Sequence, residues 1–320
     1  MGSSPPYRNL RVTVLAGGVG GARMARALAA VLPVERLTVV VNIGDDDDVY
    51  GVRVCADLDS VLHTLAGIEG PDGWGIAGDT FTVMDHLAAL GADTTFRLGD
   101  RDLAGCLLRT SMLRAGRTLS EATAVLRRAV GVGVDVLPAS DHDLRTRIKT
   151  ASGQWLSFQE YFVHRGHRDT VSEVVFEGST TSIPAPGAAE AIRDADVLII
   201  APSNPILSIW PTLAIPAIRR LVRDHARVLA VSPLFAGRAL KGPTAELLES
   251  HGFTPGNAGI LQAYEGLLSD LVIDTGDAAD AASLRRHGIA VHVEDTDMTG
   301  PDRGSRFAHR LMAAVVGGKR

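Results

Sequence analysis

The sequence predicts an α/β fold, a doubly wound Rossmann-like parallel sheet with a smaller β-rich inserted subdomain. Short runs of Val, Ile and Leu are apolar throughout, as in strands that helices cover on both faces. These runs alternate with helical segments, and the first run is followed at once by a glycine-rich turn. Such sheets bind ligands beyond the carboxyl ends of their strands, so residues that follow the strands are the first candidates for a site.

The hydrophobic pattern predicts the elements in order along the chain. Parallel strands are expected over residues 11–16, 37–42, 196–201, 227–231, 271–273 and 289–293. Helices are expected over residues 22–32, 57–65, 80–90, 103–115 and 121–130, the last of them capped by Ser120. After Gly131 apolar and polar residues alternate, which predicts antiparallel strands over residues 132–137, 144–150, 155–164 and 171–176.

These elements suggest a division of the chain. We expect a nucleotide-binding core formed by residues 10–131 and 184–320. We expect a β-rich insertion over residues 132–183 and a disordered lead-in over residues 1–9.

Composition and charge exclude several function classes. A formal net charge of −5 provides no basic field for DNA or RNA. No apolar run approaches about 18 residues and the N-terminus does not resemble a signal peptide, so a cytoplasmic protein without a membrane partner is expected. Cys55 and Cys106 lack metal-binding spacing and are expected to be reduced thiols. A homodimer is expected, since two-fold oligomers are the commonest.

A glycine turn follows the first predicted strand and opens the first helix. It contains Gly17, Gly18, Gly20 and Gly21. Glycines let a ligand approach the backbone, and a helix N-terminus offers free N–H groups to phosphate. The turn departs from an NAD-binding fingerprint, because Arg23 stands where its third glycine belongs and Asn42, not an acid, ends the second strand. A tight turn without a ligand is the structural alternative.

Acidic residues follow the second predicted strand. Asp45 begins a run of four carboxylates that repel one another unless they are solvated or bind a cation. Such oxygen ligands suit Mg²⁺ shared with substrate phosphates, and Asp45, nearest the strand end, is favoured as ligand or base. Asp57 is expected to cap the next helix, whereas Asp59 could face back and complete the site. The alternative is a solvated acidic loop.

Polar residues also stand at later junctions. Asp79, Thr80 and Arg97 lie where loops enter helices, and helix capping alone explains the first two. Two further groups follow later strands and could contact a base or a phosphate: Ser203 with Asn204, and Lys241 with Gly242. There is no HExxH zinc motif and no GxSxG nucleophile elbow in the sequence.

Taken in order, these motifs resemble a known family. They are LAGGVGGAR from Leu15, NIGDD from Asn42, DLD from Asp57, WGIAGDT from Trp74, LGDR from Leu98, PSNP from Pro202 and KGP from Lys241. The set resembles the 2-phospho-L-lactate transferase family of coenzyme F420 biosynthesis from about Leu10 to near the C-terminus. The Arg-rich, Lys-poor composition resembles its actinobacterial branch, whose members are taken to use a phosphoenolpyruvyl donor.

The resemblance implies a reaction and roles for the residues. A GDP-linked donor carrying enolpyruvate or lactate would pass its phospho-acid group to the terminal ribityl hydroxyl of the deazaflavin Fo, releasing GMP. Mg²⁺ held by the catalytic pair Asp45 and Asp59 would bridge the diphosphate. The guanosine diphosphate part would contact the glycine turn, Ser203, Asn204, Lys241 and Gly242, and the Fo part would contact Asp79, Thr80 and Arg97.

Two other classes remain open from the sequence. A nucleotide-sugar-binding regulatory protein of the gluconeogenesis-factor-like group would share the glycine turn, but would not need the pair Asp45 and Asp59. A NAD-dependent oxidoreductase is disfavoured by Arg23 and Asn42. The choice between an enolpyruvyl and a lactyl donor rests on lineage resemblance alone.

Overall fold

The apolar runs form the strands of the computed structural model, which describes residues 5–239 and 242–317. In chain order the strands are β1 Val12–Ala16, β2 Leu37–Val41, β3 Asp47–Val49, β4 Val52–Val54, β5 Asp135–Pro138, β6 Arg145–Thr150, β7 Trp155–Ser157, β8 Val171–Glu177, β9 Val197–Ile200, β10 Val228–Val231, β11 Leu234–Phe235, β12 Arg238–Ala239, β13 Asp270–Asp274 and β14 Ala290–Glu294. All six runs predicted as parallel strands are confirmed.

The central sheet has seven parallel strands in the order β14-β13-β10-β9-β1-β2-β5. Strand β1 pairs with β2 on one side and with β9 on the other. After β1 the chain adds β2 and β5 on one side of β1, and from β9 onward it adds strands on the other side. The carboxyl ends of β1 and β9 therefore define a topological switch point, where such sheets bind ligands.

One edge of this sheet differs from the prediction. The segment expected as the first strand of the β-rich insertion is β5, which pairs in parallel with β2 and belongs to the central sheet. Its alternating pattern is that of an edge strand, with Asp135 exposed and Val136 buried. Alternation reports which faces are covered and not which strand is the neighbour, so the sequence could not assign β5 to its sheet.

The inserted antiparallel sheet has three strands in the order β7-β6-β8. The strand predicted over residues 155–164 is wrong in its second half. The chain leaves β7 after Ser157 and forms a π-helical turn over Glu160–His164, which buries Tyr161. Two short hairpins, β3 with β4 and β11 with β12, complete the strands.

Helices cover both faces of the sheet. In chain order they are α1 Gly18–Ala29, α2 Ala56–Ala66, α3 Thr82–Ala89, α4 Asp100–Arg114, α5 Leu119–Ala129, α6 Ala188–Asp194, α7 Trp210–Leu213, α8 Pro216–Asp224, α9 Thr244–Ser250, α10 Asn257–Ala263, α11 Ala281–Arg285 and α12 Pro301–Gly317. The predicted cap of α5 is corrected, because Thr118 and not Ser120 caps the helix. The Thr118 hydroxyl accepts from the N–H of Glu121, and the Glu121 carboxylate accepts from the N–H of Thr118.

The core has two parts. The main cluster joins the central strands to α1, α2 and α12, and the helix α1 contributes the buried Met24 and Leu28. A smaller cluster, with Met84 at its centre, packs the β3–β4 hairpin against α3 and α4. Among the described residues, no helix is long and apolar enough to cross a membrane.

Candidate active site

A cleft of about 770 Å³ opens at the carboxyl ends of the central strands. Its polar side is built by the loops that follow β1, β2 and β9, and its other side by the segment after β7 and the loops around α3 and α4. A volume of this size is typical of small-molecule and cofactor sites. The cleft lies at the switch point, because the hydroxyl of Ser203 after β9 donates to the carbonyl of Gly17 after β1 at 2.6 Å.

The glycines of the turn are required by close packing against neighbouring segments. A Cβ on Gly20 would lie 2.0 Å from the carbonyl oxygen of Pro202, and one on Gly21 would lie 2.9 Å from the side chain of Ala16. Gly17 would meet the carbonyl of Ser208 at 2.6 Å. Only Gly18 of these has a positive φ, 60°, and a Cβ there would meet nothing nearer than the Ser208 hydroxyl at 3.7 Å. The turn therefore brings the first turn of α1 against the β9 loop with no room for side chains.

Asp57 connects the glycine turn to the end of β2. Its Oδ1 accepts a 2.6 Å hydrogen bond from the N–H of Gly18, and its Oδ2 accepts from the Asn42 amide at 3.0 Å. The side chain does not cap its own helix, which begins after Cys55 without a side-chain cap. Instead of the expected cap, Asp57 makes contacts to distant segments of the same chain at the cleft wall. Its carboxylate thereby takes up one N–H group of the glycine turn that was predicted to bind phosphate.

Asp45 and Asp57 form a buried acid pair in the cleft. The amide of Asn42 donates to both carboxyl groups, at 3.3 Å to Asp45 and 3.0 Å to Asp57. Burial, then the charges of Asp57 and Asp46, raise the pKa of Asp45 well above its ordinary value. Burial also raises the pKa of Asp57 to about 6 despite its hydrogen bonds. Two carboxyl groups this close favour a shared proton or a bound cation.

The four-residue acidic run divides as charge repulsion requires. Asp45 and Asp46 are buried, whereas Asp48 is exposed and forms a 2.9 Å ion pair with Arg53. Asp46 does not line the cleft, and burial raises its pKa to about 7 although the Cys55 thiol hydrogen-bonds to it. Of the four acids in the run, Asp45, the one favoured from the sequence, is the one that lines the cleft.

Asp59 lines the cleft but has a different partner from the expected one. Both of its carboxylate oxygens accept from the buried guanidinium of Arg109 on α4. Asp102, also on α4, lies beside it, and burial followed by the charge of Asp59 raises the Asp102 pKa to about 7. Oxygens of Asp59 and Asp102 and the sulfur of Cys106 lie within 4.8 Å of one another. Arg109 pairs with Asp59 in this cluster, and burial raises the pKa of the Cys106 thiol.

The acid pair, more than this cluster, fits a divalent cation. Asp45 and Asp57 offer hard oxygen ligands, line the cleft and lack a cationic side chain between them. The charge of Asp59 is already balanced by Arg109, although its remaining lone pairs can still accept. The prediction that Asp45 and Asp59 together hold Mg²⁺ stays a prediction, and Asp57 joins it as a candidate that the sequence treated only as a cap.

Ser203, Asn204 and Gly242 line the cleft as predicted. Asn204 caps the π-helical turn after β9, accepting from the N–H groups of Ile206 and Leu207 and donating to Thr244 at 3.3 Å. Lys241 lies outside the described residues. The amide and hydroxyl groups here are therefore already engaged with protein, and Ser203 retains only acceptor capacity toward a ligand.

Asp79 and Asp100 exchange helix caps. The carboxylate of Asp79 accepts from the N–H groups of Arg101 and Asp102 at the start of α4. Asp100 accepts from the N–H of Val83 at 3.0 Å at the start of α3, and from the hydroxyl of Thr80. Burial disfavours ionised Asp79, but these N–H donors outweigh it and lower its pKa. Capping thus accounts for Asp79, whereas Thr80 caps no helix and only donates to the capping carboxylate of Asp100. Contact of Asp79 and Thr80 with Fo stays a prediction.

Aromatic side chains form another wall of the cleft. Phe158 and Phe162, from the segment after β7, stack at 5.3 Å between ring centroids, and Trp74 meets Phe162 edge-on at 6.3 Å. The predicted residue Arg97 lies over the ring of Phe81 at 4.8 Å and pairs with Asp85 at 3.1 Å. No sequence pattern indicated that Phe158 and Phe162 belong to the site, because they lie in the insertion, far along the chain from the strand-end motifs.

Comparison with known proteins gives the family. The family model described as "2-phospho-L-lactate transferase CofD" matches residues 12–303. The chain belongs to this family. A protein named phosphoenolpyruvate transferase from Streptomyces griseus is 37% identical over 302 residues, which cover 91% of this chain and 95% of that protein. A protein named 2-phospho-L-lactate transferase from Methanopyrus kandleri is 37% identical over 311 residues, covering 96% of this chain and 98% of that protein.

Membership of the 2-phospho-L-lactate transferase family makes the chain an enzyme of the transferase class. This confirms the resemblance seen in the sequence and disfavours both the regulatory protein and the oxidoreductase. A solved structure of a UPF0052 family member from Bacillus halodurans shares the fold, with a TM-score of 0.62 and 16% identity over 95% of this chain and 99% of that chain. At this identity the likeness concerns the fold alone.

Proposed function

We propose that this family member transfers a phosphoenolpyruvyl or 2-phospholactyl group from a GDP-linked donor to the terminal ribityl hydroxyl of the deazaflavin Fo. The products are GMP and dehydro coenzyme F420-0, or F420-0 from the lactyl donor. The proposal is supported mainly by one observation: a glycine turn, the acid pair Asp45 and Asp57, and an aromatic wall all line the same cleft. This proposal places the chain in coenzyme F420 biosynthesis.

The two sides of the cleft suit the two substrates. A flat deazaflavin ring can stack on aromatic side chains such as Phe162 and Trp74, which contribute apolar contact area and a π face. A diphosphate fits the side formed by the glycine turn, where α1 begins and its dipole favours negative charge. The attacking hydroxyl would then lie between the two walls, close to the carboxyl groups of Asp45, Asp57 and Asp59.

The transfer needs one bond to form and one to break. The Fo hydroxyl oxygen attacks the phosphorus that carries the acid, the bond from that phosphorus to the bridging oxygen breaks, and GMP leaves with this oxygen. The hydroxyl proton passes to a cleft carboxylate. Asp57, with a pKa of about 6, and Asp102, with a pKa of about 7, can each accept a proton near neutral pH. Positioning supplies much of the remaining rate.

Mg²⁺, held by Asp45 with Asp57 or Asp59, would supply positive charge to the diphosphate and the transferred phosphoryl group. The chain's own residues complete that environment. Asn42 orients the two carboxyl groups of the acid pair, and Arg109 fixes the orientation of Asp59. Gln159 donates to the carbonyl of Asp45 at 2.8 Å and so fastens the loop after β2 to the inserted segment.

The reaction is tested by mass spectrometry of Fo incubated with the enzyme, Mg²⁺, GTP, a guanylyltransferase and either phosphoenolpyruvate or 2-phospho-L-lactate. The expected product gains the mass of one phospho-acid group, and the two acids compared in parallel identify the donor. Omission of the guanylyltransferase is the control. Absence of any Fo adduct with both acids would contradict the proposed function.

Variants then locate the chemistry. The variants to compare are Asp45→Asn, Asp57→Asn and Asp59→Asn, each of which retains side-chain volume and removes one charge. We expect turnover to fall by at least about 100-fold in each variant whose residue holds the cation or accepts the proton. Asp48→Asn, which alters an exposed acid of the same run, is the matched control and should keep its rate. Wild-type turnover in all three buried variants would remove the acid chemistry from the mechanism.

A further inference from the structure

Arg23 is the residue of the glycine-turn motif whose role neither the fold nor the acid pair explains. Its side chain is half-buried and lines the cleft. Within residues 5–239 and 242–317 it makes no hydrogen bond or ion pair, whereas the other arginine of the described cleft lining, Arg97, pairs with Asp85. On the same helix, Arg26 pairs with Glu69. Arg23 therefore presents to the cleft a guanidinium that has no partner among the described residues.

The helix geometry shows where this guanidinium points. Arg23 shares one stripe of α1 with Val19 and Ala27, which are one turn before and one turn after it. Val19 packs against Gly73, where an added Cβ would lie 2.6 Å from its side chain, and Ala27 packs against Gly304 in α12, where an added Cβ would lie 3.3 Å away. Arg23 thus lies between the Gly73 loop and the start of α12. Helical side chains lean toward the N-terminus, which for α1 is the cleft.

Electrostatics indicate the kind of group that completes this site. A half-buried guanidinium that faces the cleft without an ion-pair partner keeps its N–H donors available to a ligand. Its planar fork matches the two oxygens of a carboxylate or a phosphate. Three acids that line the cleft already accept from protein groups: Asp57 from Gly18, Asp59 from Arg109 and Asp79 from the amides of α4. An oxyanion that arrives with the substrate would supply the partner that Arg23 lacks.

We propose that Arg23 binds an oxyanion of the donor substrate, either an oxygen of its diphosphate or the carboxylate of the acid it carries. This inference rests on the proposed function for the identity of the donor, but not for the existence of the anion site. It also explains why a bulky cation stands where a dinucleotide-binding turn has glycine.

The test is calorimetric titration in the presence of Mg²⁺ with three ligands: GDP, inorganic pyrophosphate and phosphoenolpyruvate. Wild type is compared with Arg23→Gln and Arg23→Lys. Arg26→Gln is the matched control, because it removes a cation from the same helix that is already paired with Glu69. We expect Arg23→Gln to weaken at least one ligand about tenfold or more, Arg23→Lys to recover part of the loss, and Arg26→Gln to bind as wild type does.

The three ligands separate the sources of the oxyanion. Weaker GDP and pyrophosphate binding in Arg23→Gln assigns the diphosphate, whereas weaker phosphoenolpyruvate binding alone assigns the carboxylate or phosphate of the acid. If wild type binds pyrophosphate but not GDP, and Arg23→Gln weakens the pyrophosphate binding, the GDP-linked donor is contradicted while the anion site at Arg23 is supported. If Arg23→Gln binds every ligand with wild-type Kd, or wild type binds none of the three, the inference is overturned.

Discussion

The guanidinium of Arg109 on α4 holds both carboxylate oxygens of Asp59 on α2 at the wall of the cleft. Arg109 is fully buried and Asp59 is 13% exposed, so the pair is almost withdrawn from water. A second bond from the Arg109 Nη1 reaches the carbonyl of Arg53 in strand β4 of the β3–β4 hairpin. One side chain thus ties α4, α2 and the hairpin together and sets the direction of a predicted catalytic carboxylate.

Replacing this guanidinium tests its stabilising role. Arg109→Met should lower the free energy of unfolding by about 3 kcal/mol, because removing one partner leaves Asp59 buried and unpaired. The double variant Arg109→Met with Asp59→Asn should recover part of that loss in urea denaturation. Additive losses, with no coupling between the two positions, would show that the pair contributes nothing as a unit.

The glycine turn makes a steric prediction. Gly20→Ala should destabilise the protein on the order of 3 kcal/mol or prevent folding, because the new Cβ would lie 2.0 Å from the carbonyl of Pro202 and backbone atoms on both sides cannot yield. Gly105→Ala in α4 is the matched control. Its new Cβ would meet nothing nearer than 3.9 Å, so helix propensity should stabilise it by about 0.5–1 kcal/mol. Equal melting temperatures for the two variants would contradict this packing.

The exchanged caps predict a second stability effect. Asp79→Ala and Asp100→Ala should each cost about 1 kcal/mol in thermal unfolding, since each removes acceptors for helix N–H groups. Asp79→Asn keeps a capping oxygen and should retain stability. Its KM for Fo then separates the two roles of Asp79: a rise indicates contact with the acceptor, whereas an unchanged value limits the residue to capping.

Asp270 predicts a pH dependence far from the cleft. Burial disfavours its charge, but hydrogen bonds from His292 at 2.8 Å and Ser269 at 2.7 Å, with Arg227 nearby, lower its pKa below the ordinary 3.8. The folded state then binds this proton less readily than the unfolded state. The stabilisation is therefore present above pH 3.8 and is lost as the pH falls through the lower folded-state pKa.

Asp270→Asn should accordingly lower the free energy of unfolding by about 1–3 kcal/mol at pH 7 and by progressively less under acid conditions. Asp224→Asn, which alters an exposed ion pair with Arg223, should have no measurable effect. The measurement is chemical denaturation across the pH range. A loss that is equal at pH 7 and pH 3 would show that the ionisation of Asp270 is not the cause.

Sequence patterns predicted the parts of the site that are local in the chain. The turn from Gly17 to Gly21 stands directly between a strand and a helix, and Asp45 stands directly after β2, so both follow from the order of residues and the polarity of a parallel sheet. The sequence also indicated a capping role for Asp79, but at the adjacent helix, whereas the helix that it caps is α4, about twenty residues later.

Other contacts could not be predicted, because they join segments far apart in the chain. Arg109 reaches Asp59 across 50 residues, and Ser203 reaches Gly17 across 186. The edge position of β5 was missed for the same reason: a strand's own pattern records the burial of its faces and not the identity of its neighbour. The aromatic pair Phe158 and Phe162 joined the site only because the inserted segment folds back over the cleft.

The sequence by itself determined the α/β class, six of the seven parallel strands, and the family through an ordered set of motifs. Tertiary structure decided the strand order, the pairing of Asp45 with Asp57 and of Asp59 with Arg109, and the unpaired state of Arg23 among the described residues. The physical reason is one of range. Propensity and periodicity act over a few residues, whereas the partner of a charged side chain depends on which distant segments the sheet brings to the same edge.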